Sequence, residues 1–221
     1  MKIAILSMQR INNYGSLLQS YSLMKLLKQL GHDVYFLDIE CRSEDKALLD
    51  DNMQLRFAEG ETVTRHIFSK FQKIDRYVIN RVKHKIAHQK RIPLFDNFRT
   101  ETLEINRTSR NFDLCIIGSD EVFNCLTPSK WGFTSQLFGN VENADRVITY
   151  AASCGATTYD KVPIAVRKVI ANSLSRLDGI SVRDENTMNF VSSLTQKKVI
   201  RHADPVVIGD FTQELSATAL P

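Results

Sequence analysis

At 221 residues, with 43% hydrophobic side chains, the chain suits one large α/β domain, or one domain with an extra subdomain, and can bury a sizeable core. A formal net charge of +4 and a pI of about 8.9 suit an anionic ligand or a membrane surface and are too small to argue for nucleic acid. Four scattered cysteines, Cys41, Cys115, Cys125 and Cys154, make neither a C-x-x-C pair nor a zinc spacing with histidine, which fits a reduced, cytoplasmic protein.

The first predicted element is a strand over residues 2–7, an apolar run too short for a signal peptide or a membrane span. A polar loop, QRINNYG, leads into Leu17, Leu18, Tyr21, Met24, Leu27 and Leu30 at helical spacing, with Gly31 as the stop. Residues 34–39 then read as a second strand, completing one βαβ unit. The loop holds one glycine and does not match G-x-G-x-x-G, so no nicotinamide or flavin site is expected. The helix N-terminus still offers unpaired N–H groups to an anion or a sugar hydroxyl. Asn12, Asn13 and Tyr14 either add hydrogen bonds there or, in the case of the asparagines, only cap the helix.

Residues 41–61 are acidic and irregular and read as a mobile connection. Val63, Ile67, Phe71, Ile74, Val78, Val82 and Ile86 form one apolar stripe, and the other faces carry nine lysines and arginines between Arg65 and Arg91. This predicts a long basic amphipathic helix over 62–91, packed on the core with a solvated face or docked on an anionic membrane. His66, His84 and His88 make no metal pattern; the latter two are an i, i+4 pair without a third ligand. Trp131, in the aromatic loop 128–139, either stacks on a sugar or is half-buried.

The stretch 113–124, DLCIIGSDEVFN, is a short apolar strand closed by Gly118 and followed at once by Ser119, Asp120 and Glu121. RVITYAA at 146–152 is a further strand, ending in Ser153, Cys154 and Gly155. Cys154 has no base partner in the sequence and is not read as a nucleophile. A helix over 163–177, a strand at 179–182 ending in Arg183, Asp184 and Glu185, a helix over 186–194 and a strand beginning at Val199 complete the pattern. Asp204-Pro205 closes it, and the tail from 209 shows no further strand–helix unit. Alternating strands and helices predict an α/β fold with a parallel sheet flanked by helices. Its polar strand ends then share one edge and can build one site.

The ordered set NNYGSLLQSYSLMKLLKQLGH, FDLCIIGSDEVFN, ITYAASCG, ISVRDEN and ADPVVI resembles the polysaccharide pyruvyl transferase family over about residues 1–208. Close relatives tend to read GSDQVWN at the central motif. Here Glu121 and Phe123 stand for the Gln and Trp, and acceptor preference is expected to differ there. The resemblance implies a Rossmann-like N-terminal lobe of a GT-B type fold over 1–208, with a helical insertion at about 62–99, a tail at 209–221 and no second lobe. It implies transfer of a pyruvyl group from phosphoenolpyruvate onto two hydroxyls of one sugar as a ketal, on a surface polysaccharide precursor, with no cofactor or metal. The acceptor would be a sugar or a lipid-linked oligosaccharide, and the site of action the cytoplasm or, through the basic helix, the inner face of the membrane. A second lobe or partner chain is expected to complete the chemistry.

Within that frame Arg183 is the donor phosphate or carboxylate contact, or else is paired to Asp184, Glu185 or Asp120. Asp120 is the candidate general base, or else a capping carboxylate. Asn13, Tyr14, Gly15, Gly118, Ser119 and Ser153 would line the acceptor side. His202 is near the end, with nothing in the sequence aiming it at the site. A GT-B glycosyltransferase lobe and a non-catalytic sugar-binding half-domain are the alternatives.

Overall fold

The computed structural model describes residues 1–57, 91–127 and 132–217. The expected basic helix as far as residue 90, and with it the membrane contact, and Trp131 lie outside the described residues. A parallel sheet runs in the order β2-β1-β3-β4, from β1 (Lys2–Leu6), β2 (Asp33–Leu37), β3 (Leu114–Ile117) and β4 (Val147–Thr149). Isolated parallel bridges, Ile148 to Gly179 and Ala152 to Val182, continue it into β5 (Ile180–Val182), which pairs with β6 (Val199–Arg201). This is the α/β, Rossmann-like parallel sheet flanked by helices that the pattern predicts.

The central strands are apolar throughout because both their faces are covered. Ile3 and Ile5 of β1 pack with Ile116 under α1 (Tyr14–Gln29), against Leu17, Leu23, Met24 and Leu27. Ala4 and Leu6 face the other core, with Ile117, Phe123 and Phe138 and with Val166, Ile170 and Leu174 of α2 (Ile164–Ser175). Each such Leu or Ile removed from water is worth about 1.5–3 kcal/mol. Gly31 closes α1 at φ +81°, its N–H on Lys28 O at 3.0 Å and that of His32 on Leu27 O at 3.1 Å, a Schellman stop.

Strand β4 is shorter than the apolar run RVITYAA suggests. Thr149 Oγ1 donates to Ser181 O and accepts from Ser181 N, both at 2.8 Å. Ala151 N donates to Ser181 Oγ at 3.1 Å, with Ala151 at φ +48°. A side-chain pair therefore replaces the ladder, and the strand breaks as at a bulge. That break turns the following residues over the end of the sheet.

The segment 41–57 is anchored, contrary to the expected mobile connection. Ser43–Leu48 is a 3-10 helix, and Asp45 is buried, accepting from Ser135 N at 2.6 Å and Ser135 Oγ at 2.8 Å. Burial pushes the Asp45 carboxyl up, and the Ser135 bonds only partly offset it. Past it, residues 91–97 are helical and pass into a π-helical turn, Phe98–Thr102.

The end of the chain turns back across α1. After Asp204 come α4 (Pro205–Ile208), which packs on α1, and α5 (Thr212–Ala217). The region expected as a tail is therefore helical over α5 and anchored: Lys25 Nζ donates to Asp210 O at 2.5 Å and to Glu214 at 2.7 and 2.9 Å, and Tyr21 OH donates to Glu214. Those bonds, Lys25 first and Tyr21 second, lower the Glu214 carboxyl to about 2. A depressed carboxylate contributes stability above its unfolded pKa and loses it as pH falls through the folded one. The protection of residues 212–217 against hydrogen exchange, corrected for intrinsic rates, is therefore expected to fall between about pH 4.3 and about pH 2. Glu214→Gln should abolish that step and leave α5 poorly protected at neutral pH; an unchanged profile in the variant would refute the anchor.

Candidate functional site

The described strands all end at one edge of the parallel sheet, and the chain reverses its winding between β1 and β3, the position where such sheets bind ligands. At that point Gly118 N donates to Leu6 O at 3.1 Å, and Gly118 adopts φ +133°. A Cβ there would sit 2.2 Å from Tyr150 O, so only glycine lets β3 turn beneath the β4 loop. The turn buries Ser119, and its Oγ, like Ser7 Oγ and Gln9 Oε1 in the loop after β1, is enclosed without a hydrogen-bond partner.

Hydrogen bonds knit the ends of β3, β4, β5 and β6 together. Ser153 N donates to Asp120 O at 3.0 Å, and Ser153 Oγ donates to Asp184 Oδ2 at 2.8 Å. Asp184 caps α3 (Glu185–Ser192), accepting from Thr187 N and Thr187 Oγ1, each at 2.8 Å. Burial raises the Asp184 carboxyl, but the bonds from Thr187 and Ser153 and the Arg183 charge outweigh it and hold it below its ordinary value. Asp184 is thus committed to positioning. Asp120 accepts at Oδ1 from Glu121 N at 2.8 Å, and its side chain is half-buried at the crevice.

Arg183 is the hub. Its Nη1 donates to Asp204 Oδ2 at 2.9 Å and to Ser119 O at 3.4 Å, and its Nε lies 4.0 Å from Asp184. The pairing expected with Asp184, Glu185 or Asp120 falls mainly to Asp204 on the neighbouring strand end. Its side chain is 25% exposed, so it is paired through Nη1 and still partly in contact with solvent. Asp204 also takes Gln19 Nε2 at 2.5 Å and caps α4 through Val206 N at 3.0 Å. That pair locks α1 to the far strand ends.

On the β1 side, Asn13 caps α1, accepting from Gly15 N at 2.7 Å and Ser16 N at 3.4 Å. Tyr14 is exposed and its ring packs on Phe95 at 4.7 Å. No hydrogen bond among the described residues links Asn13, Tyr14 or Gly15 to the Arg183 network; Gln19, further along α1, makes that link. The loop itself is held by Arg99, 4% exposed, which donates to Gln9 O at 2.8 Å, Asn12 Oδ1 at 2.7 Å and Asp96 Oδ1 at 2.8 Å.

Of the residues singled out from sequence, Gly118, Ser119, Asp120, Ser153 and Arg183 come together; Asn13, Tyr14 and Gly15 form a separate head on α1. Phe123, one of the two positions where acceptor preference is expected to differ, is 0% exposed and stacks on Phe138 at 4.9 Å, so its aromatic face is turned into the core. Glu121 alone, bonded to Asn124 Nδ2 at 2.8 Å, stays at the surface there. Cys154 is buried, burial raises its thiol, and it lies among Thr157 O, Asn186 and Thr187 as a packing residue. The sequence reading missed Arg99, Gln19 and Asp204 as site supports. Only Asp204 had a local signal, the Asp-Pro helix start. Among the described residues no cluster of ligating side chains fits a metal, and no helix is long and apolar enough to cross a membrane.

No curated protein and no solved structure matches the chain. The family model described as polysaccharide pyruvyl transferase matches residues 13–217, from the cap of α1 through the ends of β2, β3, β4, β5 and β6 to α5. The chain belongs to the polysaccharide pyruvyl transferase family.

Proposed function

We propose that the chain takes part in moving a pyruvyl group from phosphoenolpyruvate onto a sugar of a surface polysaccharide precursor, as a ketal, and supplies mainly the acceptor-side lobe. The observation that carries this, beside the family, is the Arg183 guanidinium, held by Asp204 at the carboxyl edge and still partly open. The donor carries a phosphate and a carboxylate, and a fixed guanidinium suits either through paired N–H bonds. The acceptor, free or lipid-linked, presents hydroxyls, which Asp120 and, separately, the head of α1 can hydrogen-bond, while the buried Ser119 and Ser153 shape the floor beneath. Asp120 Oδ2, left over from the Glu121 bond, is the candidate base for a hydroxyl proton. This chemistry asks for no cofactor.

Thermal denaturation with phosphoenolpyruvate, set against a panel of nucleotide sugars, tests the donor. At about a hundredfold excess over its dissociation constant a ligand adds about 2.7 kcal/mol. For a chain of this size that raises Tm by roughly 5–10 °C. The expected result is a rise with phosphoenolpyruvate, lost in Arg183→Ala when each protein is compared with its own ligand-free state. A rise with a nucleotide sugar alone would point to a glycosyltransferase lobe, and no rise with either to a sugar-binding half-domain.

A further inference from the structure

Among the described residues one imidazole, that of His202, stands beside the Arg183 network at the carboxyl edge. His202 follows β6 directly, and its N–H donates to Val182 O at 3.0 Å, which sets it beside Arg183 at the carboxyl edge. Its Nδ1 lies 2.8 Å from Ser181 Oγ, and its ring stacks on Tyr150 at 5.5 Å and 21°. Tyr150 is fixed in turn, its OH donating to Ala203 O at 3.2 Å. Yet His202 is an exposed residue. A ring held at one nitrogen and one face, and otherwise open at a strand-end crevice, has the arrangement of a proton-transfer group.

Ser181 makes that arrangement work in both charge states. Its Oγ already accepts from Ala151 N at 3.1 Å, which leaves one proton and one lone pair for the imidazole. With the ring neutral, the hydroxyl donates to Nδ1 and the ring hydrogen sits on Nε2. With the ring charged, the hydroxyl turns and Nδ1–H donates to Oγ. The imidazole keeps one orientation while its charge changes. The other ionisable groups around it are Tyr150 from the β4 loop, Asp204 two residues on, and Arg183 on β5, paired to Asp204. Burial first, and the Asp204 charge second, raise the Tyr150 phenol, so it stays neutral against the ring.

We infer that His202 is the acid–base group that protonates the donor, an inference that rests on phosphoenolpyruvate being the donor. Nε2–H of the charged ring gives its proton to the methylene carbon, and the C=C electron pair becomes the new C–H bond. The central carbon, left electron-poor, takes the oxygen of the first sugar hydroxyl, whose proton returns to Nε2. The second hydroxyl gives its proton to Asp120 Oδ2 and displaces phosphate, which leaves with the C–O electron pair and takes that proton from Asp120. Two hydroxyl protons are released, one replaces that given to the methyl group and one leaves with phosphate, so the ring ends as it began.

The test is imidazole nitrogen NMR on the full chain with and without phosphoenolpyruvate, beside the thermal shift. The expected result is a single ring form with Nδ1 hydrogen-bonded, its Nε2 resonance moving as the donor binds. Ser181→Ala should release the ring into a mixture of tautomers while the phosphoenolpyruvate thermal shift persists. In His202→Gln, pyruvyl transfer should fall about 100-fold or more with the thermal shift retained. Donor binding that leaves the ring resonances unmoved, or transfer by His202→Gln within tenfold of the parent, would overturn the assignment alone. Absence of any thermal shift in the parent chain would remove the donor reading and this inference with it.

Discussion

Gly118→Ala is expected to lower stability by about 4 kcal/mol, the sum of an overpacking cost and a backbone strain of about 1–3 kcal/mol each. The new Cβ would meet Tyr150 O at 2.2 Å and Tyr150 C at 3.1 Å, and backbone atoms cannot swing aside as a side chain does. Tyr150 has no room to retreat, because its N–H is bonded to Ile117 O at 2.9 Å on the strand that carries Gly118. A loss of that size is roughly a 10 °C drop in Tm for a chain this long. Gly31→Ala is the control: it too has positive φ, at +81°, but nothing lies within 4 Å of its Cβ position. That change should cost about 1 kcal/mol from φ alone. Equal costs by calorimetry would mean that the close approach at Tyr150 does not shape the crevice. The alanine variant that remains folded should also lose the phosphoenolpyruvate thermal shift, since Arg183 Nη1, the donor contact, is bonded to Ser119 O on the same turn.

Arg99→Met should cost about 3 kcal/mol in urea unfolding, with local damage confined to the loop after β1. The guanidinium serves three partners at 2.7–2.8 Å. They do not count equally. Asp96 is 63% exposed and is rehydrated when its partner leaves, so that ion pair is worth little. Gln9 O and Asn12 Oδ1 each lose a bond to a charged donor, about 1.5–3 kcal/mol apiece. Removing the desolvation cost of Arg99 itself returns part of that. Methionine keeps an apolar stem of similar length but loses the guanidinium carbon that stands 5.9 Å over the Phe95 ring, so part of the cost is that contact and the rest the hydrogen bonds. Arg99→Lys should recover less than half, because one ammonium cannot point along the three directions of a planar fork. Hydrogen exchange at residues 9–13 should rise in both variants; if it does not, Arg99 is not what holds the head of α1.

The strands, the helix stops and the crevice edge were legible because each depends on local chemistry. An apolar run of four or five residues closed by Gly or a polar cluster reads as a buried strand feeding a turn, as at Leu114–Ile117 before Gly118, and the Asn13 cap and the Gly31 stop are set within one helical turn of themselves. The segment 41–57 misled because its acidity suggested solvent, while its one decisive residue, Asp45, finds its partner 90 positions away at Ser135. Phe123 misled for the same reason: an aromatic after a polar turn is apolar surface in sequence, and which face it takes depends on Phe138.

By itself the amino-acid sequence determined the α/β class, the apolar run of β1 and the family, because periodicity and the ordered strand-end motifs are carried residue by residue. The tertiary structure alone decided which charges meet. Arg183 turned from its neighbour Asp184 to Asp204. Arg99 bridged 90 residues to Gln9. Ser181 aimed His202. Those choices follow from strand order and from the break after β4. A parallel sheet brings together strand ends that are far apart in the chain, and nothing in the local sequence of any one of them names its neighbour.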